Sequence, residues 1–83
     1  MKITVKYFAS IRETIGQGSE ALDTQAATLA ALRDELIARG GAHAQVLARG
    51  RSLRVAQNQV MSVESAVLVD GAEVAFFPPV TGG

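Results

Sequence analysis

DGAEVAFFPP, Asp70 to Pro79, is the stretch on which the fold of this chain turns. Asp-Gly is a strong turn signal, because glycine accepts the left-handed backbone that a tight turn needs. The run from Glu73 to Phe77 then reads as a strand, with Val74 and Phe76 facing one way and Glu73, Ala75 and Phe77 the other. Pro78 and Pro79 stop it, since proline lacks the N–H that a sheet interior requires. Its counterpart is KITVKYF, Lys2 to Phe8, where Ile3, Val5 and Tyr7 alternate with Lys2, Thr4, Lys6 and Phe8. In each strand an aromatic residue, Phe8 or Phe77, falls on the polar face.

Working inward, Ser10 and Glu13 have the S-x-x-E spacing of a capping box, which predicts a short helix with Ile11 and Ile15 on one face and Gly16 at its end. GQGSEALD reads as a loop and a weak second strand. The clearest helix is Thr28 to Gly41: Thr28 caps it, Leu29, Leu32, Leu36 and Ile37 form an apolar stripe, and Gly40 with Gly41 ends it. Ala42 to Arg49 reads as a short helix burying Val46 and Leu47, and RSLRVAQNQVMSV as strand, turn and strand around Asn58. This order predicts an α+β roll: a mixed sheet with one main helix on one face and the first and last strands as central neighbours. Residues 1–77 form the domain on this reading, and residues 78–83 a flexible Gly-Gly tail.

At 83 residues there is room for one domain, which hides roughly 60% of the surface its unfolded chain exposes. Eight Lys and Arg balance eight Asp and Glu, so no net field draws the chain to nucleic acid or to a membrane. Cysteine is absent, which removes disulfides, thiolate metal sites and a thiol nucleophile and suits a reducing compartment. No apolar run approaches the ~18 residues of a membrane span, and a cytoplasmic location is expected.

Conventional catalytic constellations are missing. His43 stands alone and reads as an exposed loop or helix-start residue, so no metal site is predicted. Gly16 and Gly18 lack the preceding strand, third glycine and long helix of a phosphate loop. Arg49, Arg51 and Arg54 lie close together without interleaved aromatics and read as a solvated loop.

The remaining candidate is the tail. From Pro78 to Gly83 the chain spans at most roughly 20 Å when extended. Gly82 and Gly83 carry no side chains, so the end can enter a channel too narrow for any Cβ. Phe8 and Phe77, on the solvated face of strands expected to be neighbours, form a candidate partner surface at its base.

These residues carry a resemblance that covers nearly the whole chain. MKITVKYFASIRE, the helix after AATL, Asn58-Gln59 and above all DGAEVAFFPPVTGG are similar to the small, sulfur-carrying subunits of molybdopterin synthases. The chain departs from that pattern at Gln57, at Ser65 to Val67 and at Ala72. The resemblance implies a ubiquitin-like β-grasp fold and makes Gly83 the reacting carboxylate, threaded into partner sites by Thr81 and Gly82. It implies a docking patch of Phe8, Phe77 and Met61. It further implies an E1-like adenylating partner that uses ATP, a sulfur donor that forms a thiocarboxylate, and a large synthase subunit that builds the dithiolene. Two small and two large subunits would make up that synthase. On this reading the chain binds no cofactor itself and is a sulfur-donating subunit of a transferase complex. The alternatives are a sulfur carrier for thiamine or tRNA thiolation, and a passive β-grasp binding module.

Overall fold

The computed structural model describes residues 1–79. Eight elements follow in order: β1 (Lys2–Tyr7), α1 (Ala9–Ile15), β2 (Ser19–Asp23), α2 (Leu29–Ile37), α3 (Gly41–Leu47), β3 (Arg54–Gln57), β4 (Val60–Ser62) and β5 (Glu73–Phe77). The strands make one mixed sheet in the order β2-β1-β5-β3-β4. β1 and β5 run parallel at its centre, with Val5 beside Val74 and Tyr7 beside Phe76, while the remaining pairs are antiparallel. This is the ubiquitin-like β-grasp roll, and its centre pairs the two strands whose alternation was clearest in the sequence.

Ile3, Val5 and Tyr7 of β1 and Val74 and Phe76 of β5 are buried together with Leu29, Leu32 and Leu36 of α2. The apolar stripe of α2 therefore covers one face of the sheet. Thr28 caps that helix as expected, its Oγ1 accepting from Ala31 N at 3.1 Å. The stop differs: α2 ends at Ile37, and Gly40, at φ +75°, is instead the residue from which α3 starts. α3 buries Val46 and Leu47.

The capping box also fails. α1 begins at Ala9 with Phe8 as its N-cap, and no side chain caps it. Phe8 N donates to Phe76 O at 3.2 Å, so the chain is still laddered to β5 at the residue where the helix must start. Gly16 does close α1, in left-handed backbone at φ +89°.

Among the described residues, Arg33 is the one buried charged side chain, only 3% exposed. Its guanidinium donates to three carbonyls, of Leu47 (2.7 Å), Ala48 (2.6 Å) and Arg51 (2.9 Å), and to Glu64 (2.8 Å). A buried charge persists only when its donors are matched in this way. Arg33 thereby ties the α3–β3 connection to α2. Arg49, read as solvated, is also held, by Asp34 at 2.8 Å and Glu64 at 2.7 Å.

Gln57, one of the departures noted in the sequence, makes two side-chain hydrogen bonds. Its Nε2 donates to Val67 O at 3.0 Å and its Oε1 accepts from Val69 N at 2.8 Å, fastening the segment before the Asp70-Gly71 turn. Ala72, another departure, is buried.

Candidate docking face and tail base

The sheet face opposite α2 holds the candidate site. Parallel register places Lys6 beside Ala75, and antiparallel register places Ala75 beside Ala56 and Ala56 beside Met61. Two central alanines keep the middle of this face low. Ala75 was expected to be exposed by strand parity, yet it is 6% exposed, and Ala56 is 4% exposed. The cause is geometric: the two methyl groups lie side by side in central strands, between the longer side chains of Lys6 on one flank and Met61 on the other.

At the end of this face where β5 stops, Phe8 and Phe77 stack with ring centroids 4.7 Å apart and planes 12° from parallel. The separation lies within the range of favourable aromatic pairs. β1 itself ends at Tyr7, one residue earlier than its alternation suggested. Ala9 then takes φ +51°, a left-handed turn that a residue with a Cβ adopts at a cost of roughly 1–2 kcal/mol. This turn carries the chain from the sheet into α1 and leaves Phe8 at the rim.

Met61 arrives from the other side through the β3–β4 hairpin. Its two-residue connection, Asn58 and Gln59, has φ of +51° and +68°, the backbone of a tight hairpin turn. Asn58 adds a hydrogen bond from Glu73 N to its Oδ1 at 3.0 Å, locking the hairpin to β5. Phe8, Met61 and Phe77 consequently line one hollow of about 460 Å³ together with Arg54, Pro78 and Pro79. Met61 is 56% exposed and Phe8 37%.

Thr81, Gly82 and Gly83 lie outside the described residues, as does Val80. Sequence reasoning missed Arg54 as a member of this hollow. Its place opposite Phe77 in the β3–β5 register puts it there, and strand parity from Met61 through Ala56 was the available signal.

His43 belongs elsewhere. It sits in α3 with only 16% of its side chain exposed, edge-on to Tyr7 at 5.8 Å and 3.3 Å from Glu20 Oε2. Glu20 also accepts from Tyr7 Oη at 2.7 Å and from Arg39 at 2.7 Å. Burial alone would raise the Glu20 carboxyl, but the hydrogen bonds from Arg39, Tyr7 and His43 outweigh it and hold the group below its ordinary range. No buried polar side-chain atom there is left without a partner, and the cluster joins β1, β2 and α3 as a structural knot. Among the described residues no group of His, Cys, Asp or Glu is arranged to hold a metal, and no helix is long and apolar enough to cross a membrane.

An apolar hollow at the point where the last strand becomes two prolines and a glycine-ended tail is the distinguishing feature of this chain. Residues 5–83 match the ThiS family. The chain belongs to that family. Over 81 residues it is 42% identical to the molybdopterin synthase sulfur carrier subunit of Haemophilus influenzae, an alignment covering 98% of this chain and 99% of that one. The subunit of the same name from Escherichia coli is 41% identical over the same length and shares. Among solved structures, SAMP1 from Haloferax volcanii superposes with a TM-score of 0.79 at 26% identity, and both chains are covered in full. The family match spans Phe8, Met61 and Phe77 and runs on through Thr81, Gly82 and Gly83.

Proposed function

We propose that this chain is the sulfur carrier subunit of a cytoplasmic molybdopterin synthase, with the Gly83 carboxylate as the group that carries sulfur. The observation that carries the reading is the stacked Phe8–Phe77 pair beside Met61, seated where Pro78 and Pro79 lead to Gly82 and Gly83. The full-length likeness to sulfur carrier subunits supports it.

A free carboxylate is a poor electrophile. In the proposed cycle an E1-like partner binds ATP, the Gly83 carboxylate attacks the α-phosphorus and pyrophosphate leaves. A sulfur donor then displaces AMP from the acyl carbon, leaving a thiocarboxylate. The sulfur of that soft nucleophile attacks the pterin precursor on the large synthase subunit, and water then cleaves the resulting thioester, leaving the sulfur on the precursor and returning the Gly83 carboxylate; the dithiolene needs two such deliveries. This chain's own part is positioning: the hollow docks, the prolines end the strand at its edge, and Thr81 and Gly82 thread the carboxylate into the partner. ATP belongs to the partner, and the synthase pairs two small with two large subunits.

Deletion of Gly83, or Gly82→Trp, is expected to leave thermal melting unchanged and to abolish molybdopterin formation with the large subunit. Intact mass after incubation with the adenylating enzyme, ATP and a sulfur source should show one oxygen exchanged for sulfur only in the unaltered chain. Normal product formation by either variant would overturn the assignment of Gly83.

A further inference from the structure

The chain is neutral overall, but its charge is not spread evenly. Lys6 pairs with Glu73, Arg33 and Arg49 share Glu64, Arg49 also holds Asp34, and Arg39 holds Glu20. Among the described residues, Arg51 and Arg54 make no ion pair and no side-chain hydrogen bond; both are exposed. Pro78 and Pro79 form a wall of two hollows, one lined by Arg54 and the other by Arg51. The base of the tail is therefore flanked by an arginine on each side.

Neither position is accidental in the fold. Arg54 is set by the β3–β5 register opposite Phe77. Arg51 has its carbonyl bound by the buried Arg33 at 2.9 Å and its N–H donated to Ala48 O at 2.9 Å, which fixes its backbone while its side chain stays in solvent. Glu64, the one acid lining the hollow next to Arg54, is already committed to Arg33 and Arg49. Lys2 and Arg12 are also without ion pairs among the described residues, but neither lines a hollow with the prolines.

We infer that Arg51 and Arg54 form a positive collar that meets carboxylates around the mouth of the large subunit's channel, accelerating association and setting the rotation in which the tail enters. The inference rests on the docking reading above and adds its charge chemistry. Phe8 and Phe77 can bury area in more than one orientation, whereas two charges carried on held backbone at either side of the tail base favour one. Charges at a rim act chiefly on the association rate, and salt screens them within a Debye length of about 8 Å at physiological ionic strength.

The test is stopped-flow or surface-based association of the full chain with the large synthase subunit of the same organism, over a salt series. Arg51→Glu with Arg54→Glu is expected to slow association by roughly tenfold or more at low salt, with little change in dissociation and a flattened or inverted salt dependence. Arg51→Gln with Arg54→Gln should fall between that variant and the unaltered chain, and melting temperatures confirm that all of them fold. Phe77→Ala serves as the control for docking. If Phe77→Ala weakens binding while the charge variants keep the normal rate and salt dependence, the collar is wrong and the docking face stands. If none of the variants alters binding, both are wrong.

Discussion

Phe76 and Phe77 are adjacent in the chain and opposite in role. Phe76 is 1% exposed in the core, while Phe77 is half-buried against Phe8 on the other face. Phe76→Ala should therefore cost ~3–5 kcal/mol of stability, the range for emptying a large core site. Phe77→Ala should alter stability far less but weaken docking by about 2 kcal/mol, roughly thirty-fold in affinity. Denaturation and titration of both variants against the large subunit check this, and an inverted pattern would redraw the docking face. Residue-scale reading was sound for these two because a strand's period of two assigns faces unambiguously. It failed for His43, whose partners Tyr7 and Glu20 come from other strands and leave no local signal.

At the scale of elements, the two helix starts show what short motifs can and cannot specify. Thr28 caps α2 because its backbone is extended, held by a bridge to Val67, and presents its hydroxyl to Ala31 N. Ser10 does not cap α1 because the ladder from β1 to β5 runs on to Phe8 and makes Phe8 the N-cap, two residues before Ser10. The α3–β3 connection depends on a single donor group. Arg33→Ala would leave the Leu47 and Arg51 carbonyls without this donor and remove one of the two partners of Glu64, and is expected to cost several kcal/mol, about 1–3 kcal/mol for each buried acceptor left unpaired. Urea denaturation measures it. A loss below about 1 kcal/mol would mean that water replaces the guanidinium with little penalty.

The whole molecule carries its pH dependence in the Glu20 knot. Because its folded carboxyl titrates below the unfolded value of about 4.3, Glu20 contributes its full stability above that pH and loses it as pH falls through the lower folded value. Tyr7 is pushed upward, first by burial and then by its hydrogen bond to Glu20. An unfolded tyrosine ionises near about 10, so the folded state loses its advantage as pH rises beyond that. Denaturation midpoints across pH should thus decline at both ends. Glu20→Gln is expected to make the acid limb shallower, with Asp34, held low by Arg49, still contributing. An unchanged acid limb in that variant would remove Glu20 from this role.

Local periods and turn residues specify the central strands, the main helix and its cap, the Asn58 hairpin and the faces on which Phe8 and Phe77 lie. The order of the elements, read as an α+β roll, allows β1 and β5 to be central neighbours, and the sheet pairs them with Phe8 beside Phe77. Tertiary structure alone decided the rest. Ala75 is buried beside Ala56, between the longer side chains of Lys6 and Met61, α1 starts where the ladder releases it, and Arg33 finds its carbonyls in a connection that the chain reaches only after another helix. The sorting of arginines was equally hidden: Arg49, Arg51 and Arg54 look alike along the chain, and only the fold gives the first its carboxylates and sets the other two beside the prolines. Charge pairing depends on distance in space, which spacing along the chain does not encode.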